Sequence, residues 1–288
     1  MARTLTTRDR LVVLPEPGHR YLLPTGETIT VGKRLGNGAF GLVHEAVDDF
    51  DNALVVKTLS PRNRTYEEIK ANWEREIQAL STLRHPHITH VYSWFEHQNA
   101  FSIVIERCTG TLKDLFAMPG YDGSVWMRPI ARCILSGIHF VHSQGYVHKD
   151  IHSGNIFWLM HRNEMDATPA SSVTFKIGDL GISRLATEID FFGTVLAQWM
   201  LPPEFLAPDR FGYVGPQTDI YHAGLLLLSV WHGQDLQFEK SQILDGLPRS
   251  VAADLPPPWG PALEKALRRT VAQRTQTAVE LWRDLQQP

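Results

Sequence analysis

Between Tyr21 and Leu59 apolar and β-branched residues come in short runs, broken by Pro24-Thr25-Gly26, a glycine-rich stretch at 36–41, and Asp48-Asp49-Phe50-Asp51-Asn52. Runs of this kind bounded by turn formers predict strands, among them Ile29–Leu35 before the glycines and Leu54-Val55-Val56 after them. At Tyr66 the period changes. Ile69, Trp73, Ile77 and Leu80 recur at intervals of four, four and three, predicting one helix over 66–83 that Pro86 stops. Ile88–Glu96 and Phe101–Arg107 read as two further strands. Beyond Gly110 helical spacing takes over. Ile130, Ile134, Ile138 and Val141 stripe a helix over 125–144, and 219–232, 263–272 and 278–286 follow. The polar stretch 161–172, with Pro169 and two serines, reads as an exposed loop between two short strands.

This order predicts an α+β protein: a small antiparallel sheet with one helix at 21–108, then a larger, mainly helical part at 109–288. Residues 1–20, with Pro15, Pro17 and Gly18, read as a flexible arm. A chain of 288 residues has ample core for two lobes. Apolar residues at 43% and charged residues at 20% mark a globular protein. The net charge of −3 gives no reason to expect a nucleic-acid or anionic-membrane partner. The longest apolar run, 223–231, is too short to span a bilayer. Two cysteines, Cys108 and Cys133, suit a reducing compartment, and the N-terminus lacks the apolar core of a secretory signal, so a cytoplasmic location is expected. Oligomeric state is not readable.

The chemistry lies in four clusters. Gly36-Asn37-Gly38-Ala39-Phe40-Gly41-Leu42-Val43 sits between two predicted strands, whereas the dinucleotide-binding fingerprint opens a helix. Missing β-carbons let backbone N–H groups approach phosphates, with Phe40 at the tip to keep water off. Lys57 ends an apolar strand, and Glu76 sits beside Ile77 at the edge of the predicted helix's buried face. His148-Lys149-Asp150 is followed five residues after the aspartate by Asn155, and Asp179-Leu180-Gly181 follows a strand ending at Ile177. Singly these are a glycine turn, a solvated lysine, a surface glutamate, a loop and a turn at an aspartate near a glycine. In this order they fit transfer of the γ-phosphoryl group of ATP.

In these residues the chain resembles the eukaryotic-type protein kinases, from about Leu35 to Leu285. The resemblance implies a two-lobed fold with ATP between the lobes. It implies a Lys57–Glu76 ion pair that aims the amine at the α- and β-phosphates, Asp150 as the base, and Asn155 and Asp179 as Mg²⁺ ligands. Leu35, Gly36, Asn37, Gly38, Ala39, Phe40, Gly41, Val43 and Lys57 would then surround the nucleotide. Ile105 would guard the back of its pocket, and the backbone of Glu106 and Cys108 would read the adenine edge. His148 is structural in this scheme, Asp219 caps the catalytic-loop backbone, and Glu204 pairs with Arg274. Residues 182–204 form the activation segment, with Ser183, Thr187 and Thr194 as phosphosites. Two positions depart from the family. Lys149 stands where arginine is usual, and His152 stands where Ser/Thr kinases commonly carry lysine. The expected function is ATP- and Mg²⁺-dependent phosphorylation of a protein hydroxyl, on serine or threonine. The alternatives are a pseudokinase scaffold, and a small-molecule kinase suggested by His152 and Gly154.

Overall fold

Short turns between the strands Arg20–Leu22, Thr28–Gly38, Gly41–Val47 and Ala53–Leu59, and between Val91–His97 and Ala100–Glu106, favour antiparallel pairing of those neighbours. The structure, a computed structural model, describes residues 4–23, 25–38, 41–59, 64–161, 172–179, 184–185 and 201–287. They divide into two compact units, Met1–Arg84 with Thr89–Arg107, and His85–Ile88 with Cys108–Pro288.

The first unit contains β1 (Thr4–Thr6), β2 (Leu11–Val13), β3 (Arg20–Leu22), β4 (Thr28–Gly38), β5 (Gly41–Val47), β6 (Ala53–Leu59), α1 (Tyr66–Thr82), β7 (Val91–His97) and β8 (Ala100–Glu106). Six strands form one antiparallel sheet in the order β3-β4-β5-β6-β8-β7. Leu23, Ile29, Ala46, Leu54, Val56 and Val104 make its core. Side chains alternate along β6, so Lys57 points away from the face of the fully buried Val56 and Thr58. Helix α1 buries Ile69, Ile77 and Leu80, and the Trp73 indole donates to the Ser102 carbonyl at 3.3 Å.

Two expectations change here. Residues 4–13 are not a loose arm: β1 pairs with β2, and Val12 and Leu14 are buried with Leu42 and Ala100. Strands of three residues are too short to show a period, but the run Leu11-Val12-Val13-Leu14 had an apolar surface to bury. The strand expected from Ile88 begins at Val91 instead. Ile88 bridges to Ile177 and belongs with the second unit.

The second unit contains β9 (Gly110–Thr111), α2 (Leu112–Phe116), α3 (Gly123–Ser143), β10 (Tyr146–Val147), β11 (Ile156–His161), β12 (Ser172–Ile177), β13 (Arg184–Leu185), α4 (Pro203–Leu206), α5 (Pro208–Phe211), α6 (Pro216–His232), α7 (Lys240–Asp245), α8 (Leu247–Ala253), α9 (Trp259–Ala266), a 3₁₀ turn (Val271–Gln273) and α10 (Ala278–Asp284). Asp122 caps α3 by accepting from the Ser124 N–H, and Thr111 and Asp114 form a capping box on α2. The core joins Ile130, Ile134 and Ile138 of α3 to Ile220, Leu227 and Leu228 of α6. The helix expected over 263–272 starts earlier and stops at Ala266. Strands β11 and β12 pair out to His161–Ser172, and the loop between them, 162–171, lies outside the described residues. The expected α+β class, a small antiparallel sheet with one helix and a larger helical part, is the observed one. Among the described residues no helix is long and apolar enough to cross a membrane.

Candidate functional site

In the first unit β4 and β5 form the glycine hairpin, with Gly36 opposite Val43, Asn37 opposite Leu42 and Gly38 opposite Gly41. Ala39 and Phe40 lie outside the described residues. Gly41 is forced: a β-carbon there would sit 2.0 Å from the Thr58 carbonyl oxygen on β6. Leu35 is exposed. Between Val43 and Ile103 in the sheet register lies Lys57, whose Nζ meets Glu76 Oε1 at 3.0 Å. Both side chains are largely shielded, at 12% and 7% exposure, so solvent screens the pair little. The Glu106 N–H is committed to the His90 carbonyl at 2.9 Å, and Cys108 is half-buried.

Glu76→Gln keeps the shape of this contact and removes its charge. A charge-assisted hydrogen bond contributes about 1.5–3 kcal/mol, so kcat/KM for ATP should fall by roughly 10–150-fold. Steady-state kinetics at varied ATP checks this, and Lys57→Ala should lose at least as much.

In the second unit the catalytic-loop candidates hang on one buried carboxylate. Asp219 accepts from the backbone N–H of His148 at 2.8 Å and of Lys149 at 2.7 Å, and faces His142 Nε2 at 2.8 Å. Burial alone would push the Asp219 carboxyl up, but the His142 bond and charge, with His148, hold it below its ordinary value. Lys149 adopts φ 68°, left-handed backbone that costs a non-glycine residue on the order of 1–3 kcal/mol. The two bonds to Asp219 enforce that turn, and the turn aims Asp150.

His148 Nδ1 accepts the Asp150 N–H at 3.2 Å and its Nε2 lies 3.1 Å from the Gly178 carbonyl, which fixes the Nε2–H tautomer. Asn155 Nδ2 donates to Asp150 Oδ2 at 2.9 Å and to the Asp150 carbonyl at 3.0 Å. The other oxygen, Asp150 Oδ1, is buried and accepts no hydrogen bond among the described residues. His152 Nε2 stands 3.5 Å from it, while His152 Nδ1 accepts the Gly154 N–H at 3.1 Å. Gly154 leaves room for that ring, since a β-carbon would sit 2.9 Å from His152 Cε1. Asp179, at φ 57°, follows Gly178, whose N–H donates to the Asn155 carbonyl at 2.9 Å. Leu180 and Gly181 lie outside the described residues.

Glu204 and Arg274, expected as partners, meet in a two-bond fork at 2.9 Å on each arm, both fully buried. Thr218 donates to the same carboxylate at 2.9 Å, and the guanidinium lies 4.7 Å from the Tyr221 ring centre. Burial would raise the Glu204 carboxyl, but the Arg274 charge and bonds keep it below the usual range. Glu204 and Asp219 both therefore have folded pKa values below their unfolded ones. Their stabilisation is complete above the unfolded carboxylate range near about pH 4 and is lost as pH falls through the lower folded values. Urea unfolding at several pH values should show stability falling on the acid side of about pH 5. Asp219→Asn should flatten that dependence.

The structure thus brings Lys57 to Glu76, and Asp150 to Asn155, with Asp179 tied to Asn155 through Gly178. Ser183, Thr187 and Thr194 lie outside the described residues. Sequence reasoning missed His142, whose only signal was a histidine ending an apolar helix. It left His152 undecided, because ring orientation over Gly154 has no sequence signature.

A family model described as protein kinase domain matches residues 29–268. The chain is 30% identical over 237 residues to the rat NUAK family SNF1-like kinase 2, covering 78% of this chain and 35% of that protein. It is 29% identical over 220 residues to the human NUAK family SNF1-like kinase 1, covering 75% and 30%, and 28% identical over 206 residues to the bovine serine/threonine-protein kinase 33, covering 70% and 41%. The chain therefore spans only about a third of the length of these relatives.

Proposed function

The chain belongs to the protein kinase domain family, and from that premise we propose that it transfers the γ-phosphoryl group of ATP to a serine or threonine hydroxyl of a protein. The observation that carries this reading is the Asp150 carboxylate. One oxygen is fastened by Asn155, and the other is buried with no hydrogen bond of normal length, His152 Nε2 standing 3.5 Å away. A buried acceptor so weakly satisfied is costly in the resting protein, and a substrate hydroxyl supplies a closer donor. The relative named as a serine/threonine-protein kinase favours that hydroxyl class.

The transfer balances simply. The hydroxyl oxygen bonds to the γ-phosphorus, the bond from that phosphorus to the ADP oxygen breaks, and the hydroxyl proton passes to Asp150 Oδ1. Lys57, held by Glu76, places positive charge on the α- and β-phosphates. The glycine hairpin from Leu35 to Val43 brings backbone close to the phosphates, and Glu106 and Cys108 read the adenine edge through their backbone.

The donor set fits Mg²⁺. Asn155 and Asp179 offer hard oxygen ligands, and Mg²⁺ characteristically completes its shell with phosphate oxygens and water. Among the described residues no three His, Cys, Asp or Glu side chains gather into a self-sufficient metal site. When bound, Mg²⁺ neutralises phosphate charge. In this reading residues 21–108 serve as the N-lobe and 109–288 as the C-lobe, bounds that differ from the two compact units, in which residues before 21 go with the first and His85–Ile88 and Cys108 with the second. A chain with only two cysteines, Cys108 and Cys133, suits a cytoplasmic location.

Incubation with γ-labelled ATP and Mg²⁺ tests the reading, with generic proteins, a cell lysate, sugars and aminoglycosides offered in parallel. Label on serine or threonine of proteins is the expected result. Label only on the small molecules, or ATP binding with no transfer at all, would refute it.

A further inference from the structure

A group of contacts outside the site surrounds the start of α1, the helix that carries Glu76. We propose that the amino-terminal ribbon, residues 4–14, is a clamp that sets the position of α1 and so keeps Glu76 on Lys57. The inference rests on the reading of that pair as the phosphate-positioning couple.

A helix begins with four N–H groups that have no partner within it. In α1 the first of them, on Tyr66, donates at 2.9 Å to Asp9 Oδ1, from the ribbon. The Arg8 N–H donates to the Arg64 carbonyl at 3.0 Å, and the Arg10 guanidinium covers the Tyr66 ring at 3.8 Å and pairs with Glu67 at 3.7 Å. Thr7 locks the turn, donating to Asp9 Oδ1 at 2.8 Å and accepting the Arg10 N–H at 2.7 Å.

The ribbon's other side is fixed to the sheet. The Val13 N–H donates to the Gln98 carbonyl at 3.2 Å, and Asn99 Nδ2 donates to the Leu11 carbonyl at 2.8 Å. Val12 and Leu14 pack with Ala100 and with Leu42, which stands opposite Thr58 and so beside Lys57 in the register. The Tyr66 hydroxyl donates to Glu96 on β7 at 2.8 Å. One ribbon therefore joins the helix start to β5 and β8, the two strands that flank the lysine's strand β6 in the sheet. Glu76 lies ten residues beyond Tyr66, about 15 Å along a rigid rod, so fixing the first turn fixes the rotation that presents Glu76. Asp9 and Arg10 are positioning residues and touch no substrate.

The test uses the full chain. Asp9→Ala, Asp9→Asn and the double variant Asp9→Ala with Arg10→Ala are compared with Lys57→Ala as reference. Kinetics at varied ATP are read together with amide hydrogen exchange and thermal unfolding. The double variant should lose about tenfold in kcat/KM for ATP, the factor of an ordinary helix cap felt fully in the transition state. Asp9→Asn, which keeps the accepting oxygen, should stay within about twofold, since substitution by Asn preserves a good cap. Exchange at Tyr66 and the next amides should quicken in the alanine variants and not in Asp9→Asn. The clamp is overturned if the double variant unfolds at a lower temperature but keeps normal kinetics at about 25 °C while Lys57→Ala is inactive. Equal slowing by Asp9→Ala and Asp9→Asn overturns it too. An active Lys57→Ala would instead refute the underlying reading of the pair, and the clamp with it.

Discussion

Asp150→Asn should lower kcat by about 10²–10⁴-fold, the range general-base catalysis contributes, while leaving ATP affinity within about threefold. The substitution is nearly isosteric. Asn155 Nδ2 can still donate to the oxygen of the new amide, and the bonds that Asp219 accepts from the His148 and Lys149 backbone are untouched. What disappears is the buried carboxylate oxygen Oδ1, which makes no hydrogen bond among the described residues and which the proposed reading assigns to the substrate proton. Rapid-quench kinetics separates the chemical step from binding, and the nucleotide-induced rise in melting temperature reports ATP affinity. Near-normal kcat would take the base role from Asp150.

Arg274→Ala should destabilise the second unit by about 3–5 kcal/mol, because it leaves the Glu204 carboxylate buried without its counter-charge. The guanidinium also donates to the carbonyls of Arg268, Gln217 and Arg269, at 2.9, 2.8 and 3.2 Å, so three acceptors lose a donor in the same substitution. Urea unfolding measures the loss. Replacing both Glu204 and Arg274 with methionine should cost less than the arginine change alone, since no charge is then stranded. If Arg274→Ala were neutral, the fork would not be what anchors α4 to α6 and the chain's end.

The elements legible in sequence were those long enough to show a period. Helix α1 announced itself through Ile69, Trp73, Ile77 and Leu80, and the stripe on α3 was equally plain. The short helices α4, α5, α7 and α8 were not, because one or two turns contain too few apolar positions to distinguish from a loop. The amino-terminal ribbon was misread for a related reason. Its prolines and charges look like a linker, and its stability comes from partners on α1 and β8 that no local window contains.

The site was legible at the level of residue type and spacing. Lys57 and Glu76 could be matched because Glu76 sits at the edge of a recognisable buried stripe. The hidden part was what holds the loop: the left-handed Lys149, the His142 contact to Asp219 and the His152 ring over Gly154 depend on packing between distant segments. The expectations for Ala39, Phe40, Leu180, Gly181 and most of the activation segment fall outside the described residues.

The most direct test of the account is transfer of label from γ-labelled ATP to protein by the wild-type chain and by Asp150→Asn, side by side at equal concentration with Mg²⁺. The account predicts labelled serine or threonine with the wild type and almost none with the variant. Equal labelling by both, or none by the wild type, would contradict it.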